Sequence, residues 1–170
     1  MLINFKTLKA MNIKVRQAEE KDLKRIAEIE AQSFDHPWTL EMIKESLYNE
    51  MNIIWVADAI DGDKKDVAGF LIAFCIPAVN AEICDIAVDP RFRRNKVAHN
   101  LINYMLCYCN LIAVEKILLD VNVNNAGAIA LYKSFDFIED GIRPKYYENK
   151  DDAILMSRVV TVELKPLDLD

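Results

Sequence analysis

Histidine is scarce in this 170-residue chain, with two residues, and the four cysteines form no C-x-x-C pair. Both facts argue against a zinc site, and no metal is expected. No apolar run approaches the ~20 residues that span a bilayer. The longest candidate, Val67 to Val79, reads as a buried strand, so no membrane partner is expected. The first ten residues carry Lys6 and Lys9 but lack a long apolar segment and a small-residue cleavage site, which argues against a signal peptide. Met11 offers a second start that would leave residues 1–10 as a loose extension. Repeats, low-complexity stretches and linkers are also missing. Acids outnumber bases, 27 to 21, and the pI is near 5.0. This balance argues against general binding of nucleic acid and suits a basic partner such as an Arg/Lys-rich peptide.

What is present describes one soluble globular domain. Hydrophobic residues make up 52% of the chain and charged residues 28%, enough apolar material for a real core. Cys75, Cys84, Cys107 and Cys109 read as small core hydrophobes in a reducing compartment, so a cytoplasmic location is expected. Ile13 to Arg16 reads as a short strand, and Lys21 to Ser33 as a helix with Leu23, Ile26, Ala27 and Ile29 on one stripe. After the loop Asp35 to Trp38, Thr39 caps a second helix carrying Leu40, Ile43 and Leu47. Strands are expected at Ile53–Ile60, Val67–Ile76 and Glu82–Val88, with a polar turn over Asp61–Asp66. A long helix over Asn95–Ala113, a strand over Lys116–Val123 and a short helix ending near Phe135 follow. Phe137 and Ile138 open another strand, Gly141–Lys150 is turn-rich, and Ala153–Val162 closes the sheet. The tail from Lys165 is expected to fray. The order is mixed α/β, and its strand–helix–strand–helix unit suits a parallel pair.

The segment from Cys84 to Leu101 stands out. An apolar run breaks at Asp89-Pro90, a basic cluster follows (Arg91, Arg93, Arg94, Lys96), and then a helix begins. In a chain of net charge -6, this cluster at a strand-to-helix junction suggests an anion site. The unpaired N–H groups and partial positive charge of a helix N-terminus bind phosphate. The plainer reading is a solvated charge run on a loop.

The order of elements and three segments resemble the GNAT family of acetyl-CoA-dependent N-acetyltransferases. The family's Arg/Gln-x-x-Gly-x-Gly/Ala signature reads here as Arg93-Arg-Asn-Lys-Val-Ala98. Asp120 to Tyr132 resembles a later core element, in which an Asn precedes a helix that carries a Tyr. Arg143-Pro-Lys-Tyr-Tyr147 with Asp152 to Met156, and the Pro37-Trp38 loop, are similar to the RimI-like subgroup, bacterial enzymes that acetylate the N-terminal alanine of a small-subunit ribosomal protein. The resemblance implies a mixed central sheet of about six to seven strands with a splayed central pair, flanked by about four helices. It places a GNAT domain over residues 12–162, between an extension at 1–11 and a tail at 163–170. Lys96 stands where the family has its first Gly, Asp120 where the subgroup has a Glu, and Asp136 where a helix ends in Gly. If position 96 needs φ > 0, lysine costs roughly 1–2 kcal/mol there.

The reaction so implied moves an acetyl group from acetyl-CoA to an amine, leaving coenzyme A. It needs a neutral amine, a stabilised oxyanion and a proton for the thiolate. An α-amine of pKa ~7.7–8.0 needs less help than a lysine near ~10.4. Asp120 is the first candidate for the base, acting through water, and Glu82 the alternative; each also reads as an ordinary capped or solvated carboxylate. Tyr132 is the candidate acid, since a phenol near ~10 can protonate a thiolate near ~8.5, and its plainer reading is a core tyrosine. The backbone of Ile86, Ala87 and Val88 would hold the pantetheine arm, with the Val88 amide for the oxyanion. The N–H groups of Arg93, Arg94, Asn95, Lys96, Val97, Ala98 and His99 would cradle the pyrophosphate, and Asn125 would contact the arm. Trp38, Arg143, Tyr146 and Tyr147 would wall the acceptor, whose partner is a protein N-terminus, a ribosomal protein first. Two other readings stay open. One keeps the chemistry with a small amine or another peptide as acceptor, because specificity lives in loops. The other is a degenerate acyl-CoA binder without catalysis.

Overall fold

The chain runs strand, two helices, three strands, then helix, strand, helix and two strands, and builds one sheet with helices on both faces. The computed structural model describes residues 11–147 and 150–160. The proposed extension at 1–10 and the tail beyond 160 lie outside the described residues. The strands are β1 (Asn12–Gln17), β2 (Asn52–Asp61), β3 (Lys64–Ile76), β4 (Asn80–Val88), β5 (Lys116–Asn122), β6 (Ile138–Tyr147) and β7 (Asp151–Val159). The helices are α1 (Leu23–Ser33), α2 (Leu40–Tyr48), α3 (Val97–Leu111) and α4 (Ala126–Lys133). The sheet runs β1-β2-β3-β4-β5-β7-β6, antiparallel throughout except for the parallel pair β4–β5.

Each face has its own core. Ile26, Ile29 and Ile43 of α1 and α2 pack with Ile54, Val56, Phe70 and Ile72 on one side. Leu101, Ile102 and Met105 of α3 and Tyr132 of α4 pack with Leu71, Ala73 and Ile117 on the other. The caps agree with the sequence: the Thr39 hydroxyl accepts from the Met42 N–H at 3.2 Å, and the Asn125 Oδ1 accepts from the Ala128 N–H at 3.1 Å. Asp136, in place of a helix-ending glycine, takes φ 61°.

Two expectations need correction. Only Cys75 and Cys109 are buried, while Cys84 and Cys107 are exposed. The turn-rich stretch from Gly141 is instead most of β6. Gly141, Pro144 and the positive φ of Lys145 break its register against β7 without ending the pairing. Long-range pairing there overrides local turn chemistry.

Candidate active site

A bulge in β4 sets the geometry. Ala73 pairs with Ile83 and Ile72 with Asp85, so Cys84 is an extra residue that flips the facing of everything after it. Before the bulge, Ala81 and Ile83 face α3; after it, Ala87 faces the α1–α2 core, and Ile86 and Val88 turn toward α3. The flip brings Asp85 onto the α1–α2 face.

The parallel pairing of β4 and β5 runs only from Asn80–Lys116 to Ile83–Leu119. Both strands continue, unpaired with each other, to Val88 and Asn122. The result is a fork. The Asp89 N–H donates to the Ala68 carbonyl on the β3 side at 2.9 Å. Alternation therefore turns the N–H and C=O of Ile86 and Val88 toward the open side of the fork. In agreement, the Val88 carbonyl accepts from Arg93 Nε at 3.3 Å rather than from β5.

The fork leads into the N-terminus of α3. Gly69 makes this approach possible: a Cβ there would lie 2.7 Å from the Ala87 carbonyl oxygen and 2.9 Å from Val97 Cγ1. The connecting loop takes one 3-10 turn over Pro90–Phe92 and then alternates handedness, with Arg94 at φ 66° and Lys96 at φ 59°. Asn95 Nδ2 donates to the Phe92 and Arg93 carbonyls at 3.2 and 3.1 Å. Lys96 is the N-cap, so the N–H groups of Val97, Ala98 and His99 have no partner within the helix. A backbone concavity ahead of a 15-residue helix is a good anion cradle.

The basic cluster divides by role. Arg91 pairs with buried Asp89 at 2.8 Å and with Asp66 at 2.9 Å, and Arg25 also binds Asp89. The hydrogen bond from Arg91 leads the effects that hold the Asp89 carboxyl far below the usual range. Arg91 thus fixes the loop. Arg93 closes on Val88, while Arg94 and Lys96 make no ion pair among the described residues.

The candidate chemical groups gather around the fork. Asp120 lies one residue beyond the last β4–β5 pair, opposite in facing to Leu119 and Val121, which belong to the α3 core. Its carboxylate is bound by Arg143 Nη1 at 3.2 Å, and its carbonyl accepts from the Tyr147 hydroxyl at 3.3 Å. Arg143 stacks over Tyr146 at 5.5 Å, and Tyr146 meets Tyr147 edge-on. Arg143, Tyr146 and Tyr147 of the predicted wall thus join the candidate base in one assembly, while Trp38 packs on the α1–α2 core. Burial, the Asp120 charge, and lesser effects of Tyr146 and Asp85 push Tyr147 up to about 12.

Tyr132 is 5% exposed, rests on Phe137, and its hydroxyl has no hydrogen-bond partner among the described residues. Burial, then the charges of Asp85 and Tyr147, hold its pKa well above the ordinary phenol value. Glu82 is exposed and sits where β4 and β5 are still paired, short of the fork. Asn125 uses its Oδ1 as the cap of α4. His99 is exposed against Phe135.

Sequence reading missed Glu30 and Asp85. Glu30 is 1% exposed, and its Oε1 accepts from the Trp38 N–H at 2.9 Å, tying the Pro37-Trp38 loop to α1. Asp85 is a close enough neighbour of Glu30 that burial, then the Glu30 charge, raise its pKa. The signals were present: Glu30 falls on the apolar stripe of Leu23, Ile26 and Ala27, and Asp85 interrupts the apolar run from Ile83 to Val88. Among the described residues no three His, Cys, Asp or Glu side chains gather into a metal-binding group, and no helix is long and apolar enough to cross a membrane.

An open strand edge that leads into a helix N-terminus fits the amide-rich arm and the pyrophosphate of coenzyme A, and comparison with known proteins agrees. The family model described as Acetyltransferase (GNAT) family matches residues 23–137. A Bacillus subtilis (strain 168) protein, named "Putative ribosomal protein bS18-alanine N-acetyltransferase", is 33% identical over 146 residues, 84% of this chain and 92% of its own. The ribosomal protein bS18-alanine N-acetyltransferase of Escherichia coli K12 is 34% identical over 100 residues, 55% of this chain and 68% of its own. The crystal structure of the E. coli ribosomal-protein-S18-alanine N-acetyltransferase superposes with a TM-score of 0.78 at 26% identity, covering 94% of this chain and 99% of that one. The chain therefore belongs to the acetyltransferase (GNAT) family, as an enzyme whose acetyl donor is acetyl-CoA.

Proposed function

We propose that this enzyme acetylates the α-amine of a protein N-terminus, with the N-terminal alanine of ribosomal protein bS18 as its acceptor. The observation that carries the reading is the assembly of Arg143, Tyr146 and Tyr147 around Asp120 at the mouth of the fork. Arg143 and Tyr146 are about half exposed, so this wall is open to an acceptor that extends beyond the fork, as a polypeptide does. The names of the 33% and 34% identical relatives support the same acceptor.

Acetyl-CoA, when bound, supplies an activated thioester. The chain's own residues then have separable tasks. The Ile86 and Val88 edge aligns the arm in strand fashion, and the Val88 N–H faces the carbonyl oxygen as negative charge develops on it. The N–H groups from Arg93 to His99 hold the pyrophosphate, with Arg94 and Lys96 adding charge. Tyr132 holds the proton that the departing thiolate needs. Its raised pKa keeps that proton in place at neutral pH. The domain that carries these tasks spans residues 12–162, and a cytoplasmic location suits a ribosomal acceptor.

The test is transfer from acetyl-CoA to a short Ala-starting peptide that carries the bS18 N-terminal sequence, followed by mass and free-thiol release. A peptide with a blocked N-terminus and a small diamine serve as controls. Transfer to the free α-amine alone is expected. Transfer to the diamine, with the peptide untouched, would replace this reading by a small-amine one.

A further inference from the structure

The strongest unexplained feature is the acidic contact between α1 and β4. Glu30 is nearly fully enclosed, and its Oε2 meets no donor group. Its neighbour is another acid, Asp85, and a proton held between the two carboxyls would satisfy this oxygen. Like charges this close and this buried do not both ionise readily. Among the described residues, the groups acting on Asp85 are Glu30 from α1 and the Ile86 N–H, with no cation. Those acting on Glu30 are Asp85 and the Trp38 N–H, again with no cation.

The position of the pair gives it a use. Asp85 is the first residue after the bulge and is partly exposed at the fork. Its charge reaches Tyr132 on α4, Tyr147 on β6 and Cys84 on its own strand. It therefore lies in the same cleft as the proposed acid and the acceptor wall. Asp120, across the fork, already holds the Arg143 guanidinium, whereas Asp85 and Glu30 have no cation. Glu30 is fixed from behind by the acceptor loop through Trp38. A buried acid pair without a cation, opening onto the acceptor side, is a receptor for a cationic amine and its proton.

We propose that Glu30 and Asp85 form a proton-sharing carboxyl pair that takes the proton released when the acceptor's α-ammonium becomes the attacking amine. The inference rests on the N-terminal acceptor reading above. The pair first loses its shared proton to solvent, and Asp85 then removes one proton from the ammonium, a proton that the two carboxyls share. The nitrogen lone pair forms the C–N bond as the C–S bond breaks, and its electrons leave on sulfur. Tyr132 gives its proton to the thiolate, and the second excess proton on nitrogen restores the phenol. Asp85 returns its proton to solvent. Glu30 positions Asp85 and sets its basicity. Burial, then the Glu30 charge, lift Asp85 to about 8, close to the pKa of the amine it serves.

Three measurements test this on the full chain. Asp85→Asn should lower kcat for the Ala-starting peptide on the order of 100-fold, with KM for acetyl-CoA within about twofold. The parent's kcat should rise with pH to a plateau above about pH 8, and in Asp85→Asn that rising limb should vanish. Glu30→Gln should shift that limb to lower pH, an effect that a merely structural role would not produce. Carboxyl 13C NMR of the parent protein reads the pair without any acceptor and should show Asp85 titrating near 8. Thermal melts at pH 9 guard against misfolding, because Asp85→Asn removes a like-charge contact and should not lower the Tm. An Asp85→Asn enzyme with near-normal kcat and an unchanged pH limb, or an Asp85 signal titrating near ~4, would overturn the proposal. If the parent enzyme acetylates no α-amine while Asp85 still titrates near 8, the acceptor reading fails and the shared proton stands.

Discussion

Arg143 on β6 holds the Asp120 carboxylate on β5 at 3.2 Å. The pair crosses from the outermost strand, over β7, to the arm of the fork. Arg143 is 52% exposed, so the pair contributes little to stability. Under the proposed function its value lies in shaping the wall that meets the acceptor, and the guanidinium also stacks on Tyr146. Arg143→Met should leave the urea-unfolding free energy within about 0.5 kcal/mol of the parent. It should raise KM for the peptide roughly tenfold, about 1.4 kcal/mol of binding. Asp120→Asn should lower kcat by less than about tenfold, well short of a lost general base. A loss of 100-fold or more for Asp120→Asn would return the base to that residue.

Tyr132 is enclosed by apolar neighbours yet keeps a hydroxyl with no partner among the described residues. A buried phenol usually finds a hydrogen bond, so its availability in the cleft suits proton donation. Tyr132→Phe removes one oxygen and preserves the packing against Phe137. The expected outcome is a loss in kcat on the order of 100–1000-fold, with Kd for acetyl-CoA changed by less than about twofold. Calorimetric titration beside steady-state kinetics separates the two quantities. An equal loss in both would make Tyr132 a binding residue.

Much of this was legible in the sequence because local signals and tertiary packing agree. The Thr39 and Asn125 caps, the alternating Ile117, Leu119 and Val121, and the helix after Lys96 are each specified by neighbours in the chain. What stayed hidden depends on pairing between distant segments. Pro144 and Gly141 look like turn residues, and only the ladder with β7 makes them strand. The bulge at Cys84 leaves no mark in the sequence, yet it decides which side of the sheet Asp85 faces. The Glu30–Asp85 contact joins residues 55 positions apart, and neither residue alone announces it. Likewise, Arg91 looked like part of an anion site, and only the position of Asp66 and Asp89 shows that it is used internally.

Lys96 occupies the left-handed region at φ 59°, ψ 21°, where the side chain makes no cap hydrogen bond. An L-residue there bears roughly 1–2 kcal/mol of strain. Glycine would relieve it but adds entropy to the unfolded chain. Lys96→Gly should therefore raise stability by a net ~1 kcal/mol, read by urea unfolding. The affinity for acetyl-CoA should be unchanged or better, since the N–H cradle is kept and the backbone can approach more closely. If affinity instead falls tenfold or more, and the fall diminishes in high salt, the Lys96 ammonium has been recruited to the phosphates.

Asp89 anchors the loop proposed to hold the phosphates. It is buried, accepts from the Arg91 N–H at 2.8 Å, and is shared by the Arg25 and Arg91 guanidinium groups. Asp22, bridged to Arg16 at 2.7 Å, is also held below its ordinary pKa: its bonds to Arg16 and the Glu19 N–H outweigh the opposing effect of burial. Groups of this kind bind fewer protons folded than unfolded. Their stabilisation is complete above the unfolded carboxyl value of ~3.9 and drains away as pH falls toward the folded value. Asp89→Asn should cost about 3 kcal/mol at pH 7, because it strands a partly buried guanidinium. The gap between parent and variant should narrow as the pH is lowered from 5 to 2, since the unfolded parent chain takes up a proton that the folded Asp89 does not. Loosening the loop should also weaken acetyl-CoA binding at pH 7, although Asp89 itself is bound to Arg25 and Arg91. A gap that stays constant down to pH 2 would show that packing, and not the charge on Asp89, holds the loop in place.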